Sequence, residues 1–166
     1  RPMSTRCILV TGAASGIGAG IAAELAAAGH HLVVTDVDRD AAEAVATDIR
    51  RHGGSAEALV LDVTSDDSVA AALQAVSRPV DVLVNNAGLQ HVAPLEEFPM
   101  ERWDFLVQVM LVGVARLTRA VLPGMRERGF GRIVNIGSIH SLVASPYKSA
   151  YVAAKHGLLG FSKVVA

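Results

Sequence analysis

The sequence predicts an α/β fold built on a doubly wound parallel sheet with the strand order 3-2-1-4-5. Short apolar runs rich in β-branched residues alternate along the chain with longer segments of helical spacing. These runs are nearly continuous in Val, Ile and Leu, which is typical of strands buried on both faces, as in parallel sheets. Alternation of strands and helices then gives right-handed crossovers that place helices on both faces of the sheet.

The predicted elements follow one another in a regular order. Strands are expected at 7–11, 31–35, 56–61, 80–84 and 131–136. Helices are expected at 16–28, 38–52, 65–77, 99–128 and 149–166. The run TSDD at 64–67 supplies N-cap candidates, whereas GHH at 29–31 and HGG at 52–54 mark helix ends. No linker or repeat interrupts the pattern, so we expect residues 1–166 to form one domain.

Composition excludes several classes of function. The chain has 166 residues, 51% of them apolar, which is ample for a buried core. The formal net charge is -1, so the chain lacks the excess of positive charge that binds nucleic acid or an anionic membrane. We therefore expect neither as a partner. We find the apolar stretches too short for a signal peptide or a membrane span. The single cysteine, Cys7, lies in an apolar run, which predicts a buried core residue and favours a reducing, cytoplasmic location.

The run TGAASGIG at 11–18 follows the first predicted strand directly and begins the first helix. Its glycines lie at 12, 16 and 18. Glycines at such a turn allow close approach of a pyrophosphate, and the free N–H groups of the following helix attract anions. The run therefore indicates a dinucleotide site, although an ordinary strand-to-helix turn would also explain it alone.

Two acids lie where strands are predicted to end. Asp36 follows the second strand, where an acid accepts hydrogen bonds from the adenosine ribose of NAD. NADP would need a cation for its 2′-phosphate, and the nearest, Arg39, lies beyond Asp38. NAD is thus the expected cofactor. Asp62 ends the third predicted strand and would lie near the adenine, or else cap the next helix.

Together these motifs resemble the short-chain dehydrogenase/reductase family over the whole chain. The matching pieces, in order, are TGAASGIG, Asp36, DV at 62–63, NNAG at 85–88, Ser138 and YVAAK at 151–155. The resemblance implies a Rossmann-like fold and an NAD-dependent dehydrogenase, with no metal. The residues that it implies for cofactor binding are Thr11, Gly12, Ser15, Gly16, Ile17, Gly18, Asp36, Asp62, Val63, Asn86, Ala87, Gly88, Tyr151 and Lys155.

The same resemblance implies catalysis by Ser138, Tyr151 and Lys155. Tyr151 and Lys155 lie one helical turn apart, so they project from one face. A phenol is a poor base at neutral pH because its ordinary pKa lies near 10, and a neighbouring cation stabilises the phenolate. Ser138 would hydrogen-bond the substrate oxygen while hydride moves between the substrate carbon and nicotinamide C4 and Tyr151 carries the proton. Without the other motifs, Tyr151 and Lys155 would be interpreted as a surface pair on an amphipathic helix.

Two longer segments, at 87–99 and 138–157, resemble members of the family that act on 3-hydroxy acids. In those enzymes a glutamine, a histidine and a lysine grip the substrate carboxylate, and the matching positions are Gln90, His140 and Lys148. Their donors suit a small carboxylic acid such as (R)-3-hydroxybutyrate. Another alcohol, sugar or ketone remains an alternative substrate, and ordinary loop roles remain open for the three side chains.

Met110 departs from the family pattern. Family members carry an asparagine at this place in the run WDFLVQVMLVG (103–113), where it holds a water that links the active-site lysine to a proton relay. A thioether donates no hydrogen bond, and Gln108 faces another side of the helix. We therefore expect intact NAD binding with slowed catalysis. The alternatives are that Met110 only fills the core, or that the protein binds dinucleotide with little catalysis.

The resemblance also implies a longer protein and an assembly. The last predicted helix, which carries Tyr151 and Lys155, runs to the final residue. Family members continue with a sixth and a seventh strand and a loop over the substrate, so we expect this chain to be part of a longer polypeptide. Their helices at the positions of 99–128 and 149–166 form a four-helix dimer interface, which predicts a homo-oligomer, either a dimer or a tetramer.

Overall fold

The computed structural model describes residues 4–166. The strands are β1 Cys7–Val10, β2 His31–Asp36, β3 Ser55–Val60, β4 Val82–Asn85 and β5 Arg132–Asn135. The helices are α1 Gly16–Ala27, α2 Arg39–Arg51, α3 Asp66–Ala75, α4 Met100–Val107, α5 Gly113–Glu127 and α6 Ser149–Val165. Short 3₁₀ turns occur at Leu95–Glu97 and Ile139–Ser141. The expected domain begins at residue 1, and its first three residues lie outside the described part.

The strands form one parallel sheet in the order β3-β2-β1-β4-β5, so the predicted topology is confirmed. In the centre of the sheet, Leu9 of β1 lies beside Val33 of β2 and Leu83 of β4. Their side chains are buried, as the continuous apolar runs of the sequence predicted. All strands therefore present their carboxyl ends at one edge, where ligand sites form in doubly wound sheets.

Helices cover both faces of the sheet and create two apolar cores. On one face, Val10 and Val34 pack with Ala22 of α1 and Ile49 of α2. On the other face, the core side chains of the strands and of α4 to α6 include Leu9, Leu83, Leu106, Leu117 and Ala154. This is the Rossmann-like, doubly wound arrangement that the resemblance implied.

The predicted helix at 99–128 is not one regular α-helix. Between α4 and α5, residues Gln108–Val112 form a π-helical segment, which widens the helix by one residue. Met110 lies at its centre and is only 1% exposed. The sequence prediction missed this segment because apolar periodicity does not distinguish a π turn from an α turn. Such segments frequently occur at functional sites, and this one borders the carboxyl edge of the sheet.

The expectation that every apolar stretch is too short to span a membrane is wrong for this helical stretch. Met100–Glu127 is 28 residues long, and its best window has a mean hydropathy of 1.7. By length and composition it would suffice to cross a bilayer, contrary to the expectation that no stretch would. Leu106, Leu117 and Val121 are instead buried in the core beside the sheet. Packing against the sheet thus accounts for the apolar character of this stretch.

Candidate active site

The glycine turn is packed tightly against the loop that follows β4. Gly12 has a φ of 60°, and a Cβ atom on it would lie 2.8 Å from the Cα atom of Ala87. A Cβ atom on Gly18 would overlap the carbonyl oxygen of Gly12 and approach Asn86 Nδ2. Side chains at these two positions would therefore push the turn away from the loop, which explains why both are glycine.

Thr11 and Asn86 lock this turn in place. The hydroxyl oxygen of Thr11 accepts hydrogen bonds from the backbone N–H groups of Asn86 and Ala87, each at 3.0 Å. Asn86 Nδ2 donates in return to the carbonyls of Thr11 and Gly12, at 3.0 and 3.1 Å. Thr11 is only 2% exposed, so it lies behind the turn and shapes it.

Two adjoining clefts open at the carboxyl edge of the sheet and bring most predicted site residues together. The larger cleft, about 440 Å³, is lined by the predicted residues Gly12, Ser15, Gly16, Ile17, Asp36, Asn86, Gly88, Gln90, Tyr151 and Lys155. The smaller cleft, about 260 Å³, is lined by the predicted residues Gly12, Asp36, Asp62, Val63, Ala87 and Gly88. The predicted residues that line neither cleft are Thr11, Gly18, Ser138, His140 and Lys148.

Asp36 lies where the two clefts meet. Its Oδ2 accepts a hydrogen bond from the backbone N–H of Ala14 in the glycine turn, and its Oδ1 accepts one from Asp38, each at 3.2 Å. These bonds hold the carboxylate against the turn, at the position expected for an acid that binds the adenosine ribose. The prediction of an acid facing the cleft is consistent with this geometry.

Asp62 lies two residues beyond the end of β3, not at its last residue as expected. Its Oδ1 accepts hydrogen bonds from the backbone N–H and the hydroxyl of Thr64, at 2.8 and 2.7 Å. Ser65, not Asp62, caps α3, because its hydroxyl accepts the N–H of Ser68. Asp62 therefore shapes the floor of the smaller cleft and does not serve as the helix cap.

Lys155 is nearly buried beneath the larger cleft. Its ammonium Nζ donates a hydrogen bond to the backbone carbonyl of Ile136 at 2.6 Å. Burial lowers the pKa of Lys155 from its ordinary value because the charged form loses hydration. Nζ lies 5.6 Å from the centre of the Tyr151 ring, so the structure places a cation beside the phenol as predicted from their spacing.

Ser138 begins the 3₁₀ turn Ile139–Ser141, close to Tyr151. Its hydroxyl oxygen accepts the backbone N–H of His140 at 3.1 Å and lies 3.3 Å from ring atom Nδ1 of the same residue. The other ring nitrogen, Nε2, lies 2.7 Å from the hydroxyl of Ser145. The His140 ring packs edge-on against Tyr151 with centroids 5.8 Å apart. The structure thus connects Ser138 and Tyr151 through His140, and it adds Ser145, which no sequence motif indicated.

The three residues expected to grip a carboxylate occupy two loops. Gln90 lines the larger cleft with Tyr151 and Lys155, whereas His140 and Lys148 lie outside its lining. The two loops are joined by a hydrogen bond from the N–H of Ala93 to the carbonyl of Tyr147 at 3.0 Å. Tyr147 directly precedes Lys148 and has a φ of 67°, in the left-handed region. Lys148 is therefore placed by a strained residue that is tied to the loop carrying Gln90.

Met110 lies directly beneath the loop that carries NNAG. A Cβ atom on Gly88 would lie 3.6 Å from the Met110 sulfur, within ordinary contact distance. Met110 belongs to the same apolar core as Leu106 and Val109. It fills space below the cleft and supplies no hydrogen-bond donor to it.

Within residues 4–166, no group of three or more His, Cys, Asp or Glu side chains could hold a metal ion. Cys7 lies at the opposite edge of the sheet. Burial, together with the nearby carboxylates of Glu57 and Asp81, raises the pKa of its thiol to about 11. The thiol is therefore protonated at neutral pH and acts as a core residue.

Comparison with known proteins agrees with this geometry. The family model described as short chain dehydrogenase matches residues 6–166. The D-beta-hydroxybutyrate dehydrogenase of Cupriavidus necator is 46% identical over 172 residues, which cover 99% of this chain and 65% of that protein. The enzyme of the same name from Rhizobium meliloti is 41% identical over 169 residues, covering 98% and 65%.

A solved structure shows the same fold. The gluconate 5-dehydrogenase from Burkholderia cenocepacia J2315, in complex with NADP and tartrate, superposes with a TM-score of 0.92 and is 37% identical. The match covers 98% of this chain and 65% of that one. The chain thus spans about 65% of the length of the relatives that it matches.

Proposed function

The chain belongs to the short-chain dehydrogenase family, and from that premise we propose that the protein is an NAD-dependent oxidoreductase acting on (R)-3-hydroxybutyrate or a similar 3-hydroxy acid. The observation that carries the proposal is the larger cleft, where the glycine turn, Gln90, Tyr151 and Lys155 converge. The names of the two hydroxybutyrate dehydrogenases that resemble the chain over nearly its full length support the choice of substrate.

The residues present fit a dinucleotide. Gly16 lines the larger cleft with a φ of 54°, and a Cβ atom on it would meet nothing within 4 Å, so its backbone is open to a pyrophosphate. Asp36 lines the same cleft. When bound, the nicotinamide ring supplies the site that accepts or gives the hydride. The protein has to hold the nicotinamide ring, orient the substrate and transfer one proton.

Three side chains of this chain would take part in that proton transfer, one by carrying the proton and two by assisting it. The phenolate of Tyr151 takes the proton of the substrate hydroxyl during oxidation, and the resulting phenol returns it during reduction. The ammonium of Lys155, 5.6 Å from the Tyr151 ring centre, stabilises the phenolate form by its charge. The hydroxyl of Ser138 hydrogen-bonds the substrate oxygen and holds it within reach of Tyr151.

The choice of NAD over NADP rests on Asp36. Its carboxylate is fixed against the glycine turn, where the 2′-phosphate of NADP would bring a second negative charge close to it. The related gluconate 5-dehydrogenase was solved with NADP, so family membership alone does not decide the cofactor. We therefore propose NAD on the ground of this local charge.

The choice of a carboxylic acid rests on Lys148 and Gln90. Lys148 supplies a positive charge with three donors, and Gln90 adds a directional amide donor at the edge of the cleft. A neutral alcohol or sugar could accept a hydrogen bond from Lys148 but would gain no pairing of opposite charges. Replacing Lys148 with Ala should therefore raise KM for the hydroxy acid about tenfold or more, as expected for loss of a charge-assisted hydrogen bond.

A direct assay tests the proposal. NADH absorbance is followed with (R)-3-hydroxybutyrate, using the full-length gene product and a protein of residues 1–166 in parallel, with (S)-3-hydroxybutyrate as the matched control. Reduction of NAD with the (R) form is the expected result for the full-length product. Turnover of neutral alcohols alone would reject the carboxylate site. Cofactor binding without any turnover in both proteins would support the dinucleotide-binding alternative.

We also propose that the protein is a homo-oligomer that assembles through α4–α5 and α6. These helices form the face that pairs subunits in the family that the chain resembles. Sedimentation of the full-length product should give a dimer or a tetramer, and a monomer at micromolar concentration would contradict the proposal.

A further inference from the structure

His140 has both ring nitrogens engaged inside the protein. Nδ1 lies 3.3 Å from the hydroxyl oxygen of Ser138, and Nε2 lies 2.7 Å from that of Ser145. The ring is also held edge-on by Tyr151, at a centroid distance of 5.8 Å. The three polar residues form a chain that begins at the hydroxyl of Ser138 and ends at Ser145.

The direction of this chain depends on which nitrogen carries the proton, because a neutral imidazole has one donor and one acceptor nitrogen. With the proton on Nε2, the ring donates to Ser145 and Nδ1 accepts the hydroxyl proton of Ser138. Ser138 then has no proton left for a substrate oxygen. With the proton on Nδ1, the ring donates to Ser138 and Nε2 accepts the hydroxyl proton of Ser145.

In the second arrangement both lone pairs of the Ser138 oxygen are used. One accepts the backbone N–H of His140 at 3.1 Å, and the other accepts the Nδ1 proton. The hydroxyl proton of Ser138 is then not used in this chain of bonds and is available to a substrate oxygen. A donor aimed at the substrate oxygen is what the reaction needs, since negative charge develops on that oxygen during reduction of a ketone.

We propose that Ser145 is a positioning residue that holds His140 with its proton on Nδ1, so that Ser138 donates to the substrate oxygen. The inference rests on the proposed function, because it assumes that Ser138 binds the reacting oxygen. The bond at Nε2 is much the shorter of the two, so Ser145 has the stronger hold on the ring.

Kinetics of the full-length gene product test this chain of bonds. Ser145→Ala should lower kcat/KM about tenfold while leaving the dissociation constant for NAD unchanged. The fold decrease in kcat/KM should be the same for oxidation of the hydroxy acid and for reduction of the keto acid. The reason is that the equilibrium constant of the reaction fixes the ratio of these two kcat/KM values. Ser145→Thr keeps a hydroxyl at the same place and should retain most of the activity.

A double-mutant comparison shows whether Ser145 acts through Ser138. In a Ser138→Ala background, adding Ser145→Ala should cause little further loss, since the donor that it orients is already gone. A tenfold loss in that background as well would overturn the proposal and assign Ser145 a merely structural role.

The tautomer itself can be measured without turnover. In protein carrying ¹⁵N-labelled histidine at about pH 8, the ring nitrogen shifts of His140, assigned with His140→Gln, should show a protonated Nδ1 and a bare Nε2. Ser145→Ala should move the ring toward the opposite tautomer. A protonated Nε2 in the wild type would overturn the inference. The expected tautomer together with no turnover of any 3-hydroxy acid would instead count against the proposed function.

Discussion

The buried ammonium of Lys155 donates a hydrogen bond to the backbone carbonyl of Ile136, with 2.6 Å between Nζ and O. Lys155 lies on α6 and is 6% exposed, whereas Ile136 directly follows β5. The bond therefore ties the helix that carries Tyr151 to the carboxyl edge of the sheet. An ammonium has three donors, so two remain for the cofactor and the phenol.

Lys155 should make the stability of the protein depend on pH in the alkaline range. Its pKa is lowered by burial in the folded state, so the unfolded chain binds more protons between that lowered pKa and the ordinary value of 10.5. The free energy of unfolding of the wild type should thus rise with pH in this window, relative to Lys155→Met. Urea unfolding of both proteins across the window measures the difference.

The matched control is Lys163→Met, on the exposed part of the same helix. It removes one ammonium of equal charge but no buried one, so its difference from the wild type should stay constant over the window. Lys155→Met should also abolish turnover at every pH. A constant difference for Lys155→Met would show that the folded protein pays no hydration penalty for this group.

Met110→Asn should raise turnover. The wild-type side chain is 1% exposed and offers no donor, whereas an amide below Gly88 would provide a polar partner for a water in a proton relay. The same change introduces an amide into an apolar core, so the free energy of unfolding should fall by about 1–3 kcal/mol. Steady-state kinetics with urea unfolding measures both effects.

Met110→Leu serves as the control because it conserves volume and polarity. It should leave turnover unchanged and cost less than about 1.5 kcal/mol of stability. If Met110→Asn turns over at the wild-type rate while remaining folded, the relay is supplied by other groups and Met110 is a core residue only.

Gly18→Ala should weaken both folding and cofactor binding. The added methyl group would overlap the carbonyl oxygen of Gly12 and the amide of Asn86, so the glycine turn would have to move. We expect a loss of about 1–3 kcal/mol, as for overpacking. Gly20→Ala, in open space on the same helix, should instead stabilise the protein by up to about 1 kcal/mol. If Gly18→Ala and Gly20→Ala changed the thermal stability and the affinity for NAD equally, the close packing of Gly18 against Gly12 and Asn86 would not be what requires a glycine there.

Asp36→Asn should narrow the preference for NAD over NADP. The change removes the negative charge while keeping the size of the side chain, so the 2′-phosphate of NADP would meet less repulsion at the cleft. We expect the ratio of the two dissociation constants to shift toward NADP by about tenfold, as for loss of one charge interaction of about 1.4 kcal/mol. Asp38→Asn, which still caps α2, should leave the ratio unchanged. Tighter binding of NADP than NAD by the wild type would refute the cofactor proposal.

The fold could be predicted from the sequence because its signal is repeated along the whole chain. Each buried strand needs several adjacent apolar residues, and each helix needs the 3.6-residue spacing, so strand limits were found within two residues. The motifs likewise indicated most of the residues that line the two clefts at the carboxyl edge, since that edge collects the ends of all parallel strands.

What the sequence did not predict depends on contacts between distant segments or on fine backbone geometry. The hydrogen bond of Ser145 to His140 and that of Lys155 to Ile136 arise only once the loops are folded. The π segment at Gln108–Val112 and the position of Asp62 beyond β3 involve shifts of one or two residues, which a periodic pattern does not record.

Tyr147→Asn should stabilise the protein. Tyr147 has a φ of 67°, a conformation that costs an ordinary L-residue roughly 1–2 kcal/mol and that asparagine adopts more readily. The side chain is 59% exposed, so little packing is lost when it is replaced. The expected gain in the free energy of unfolding is about 1 kcal/mol, measured by urea unfolding. Tyr147→Phe keeps the same backbone preference and should show no gain. Because asparagine preserves the turn that places Lys148, KM for the hydroxy acid should stay near the wild-type value, and a large rise in KM would show that the tyrosine ring itself contacts the substrate.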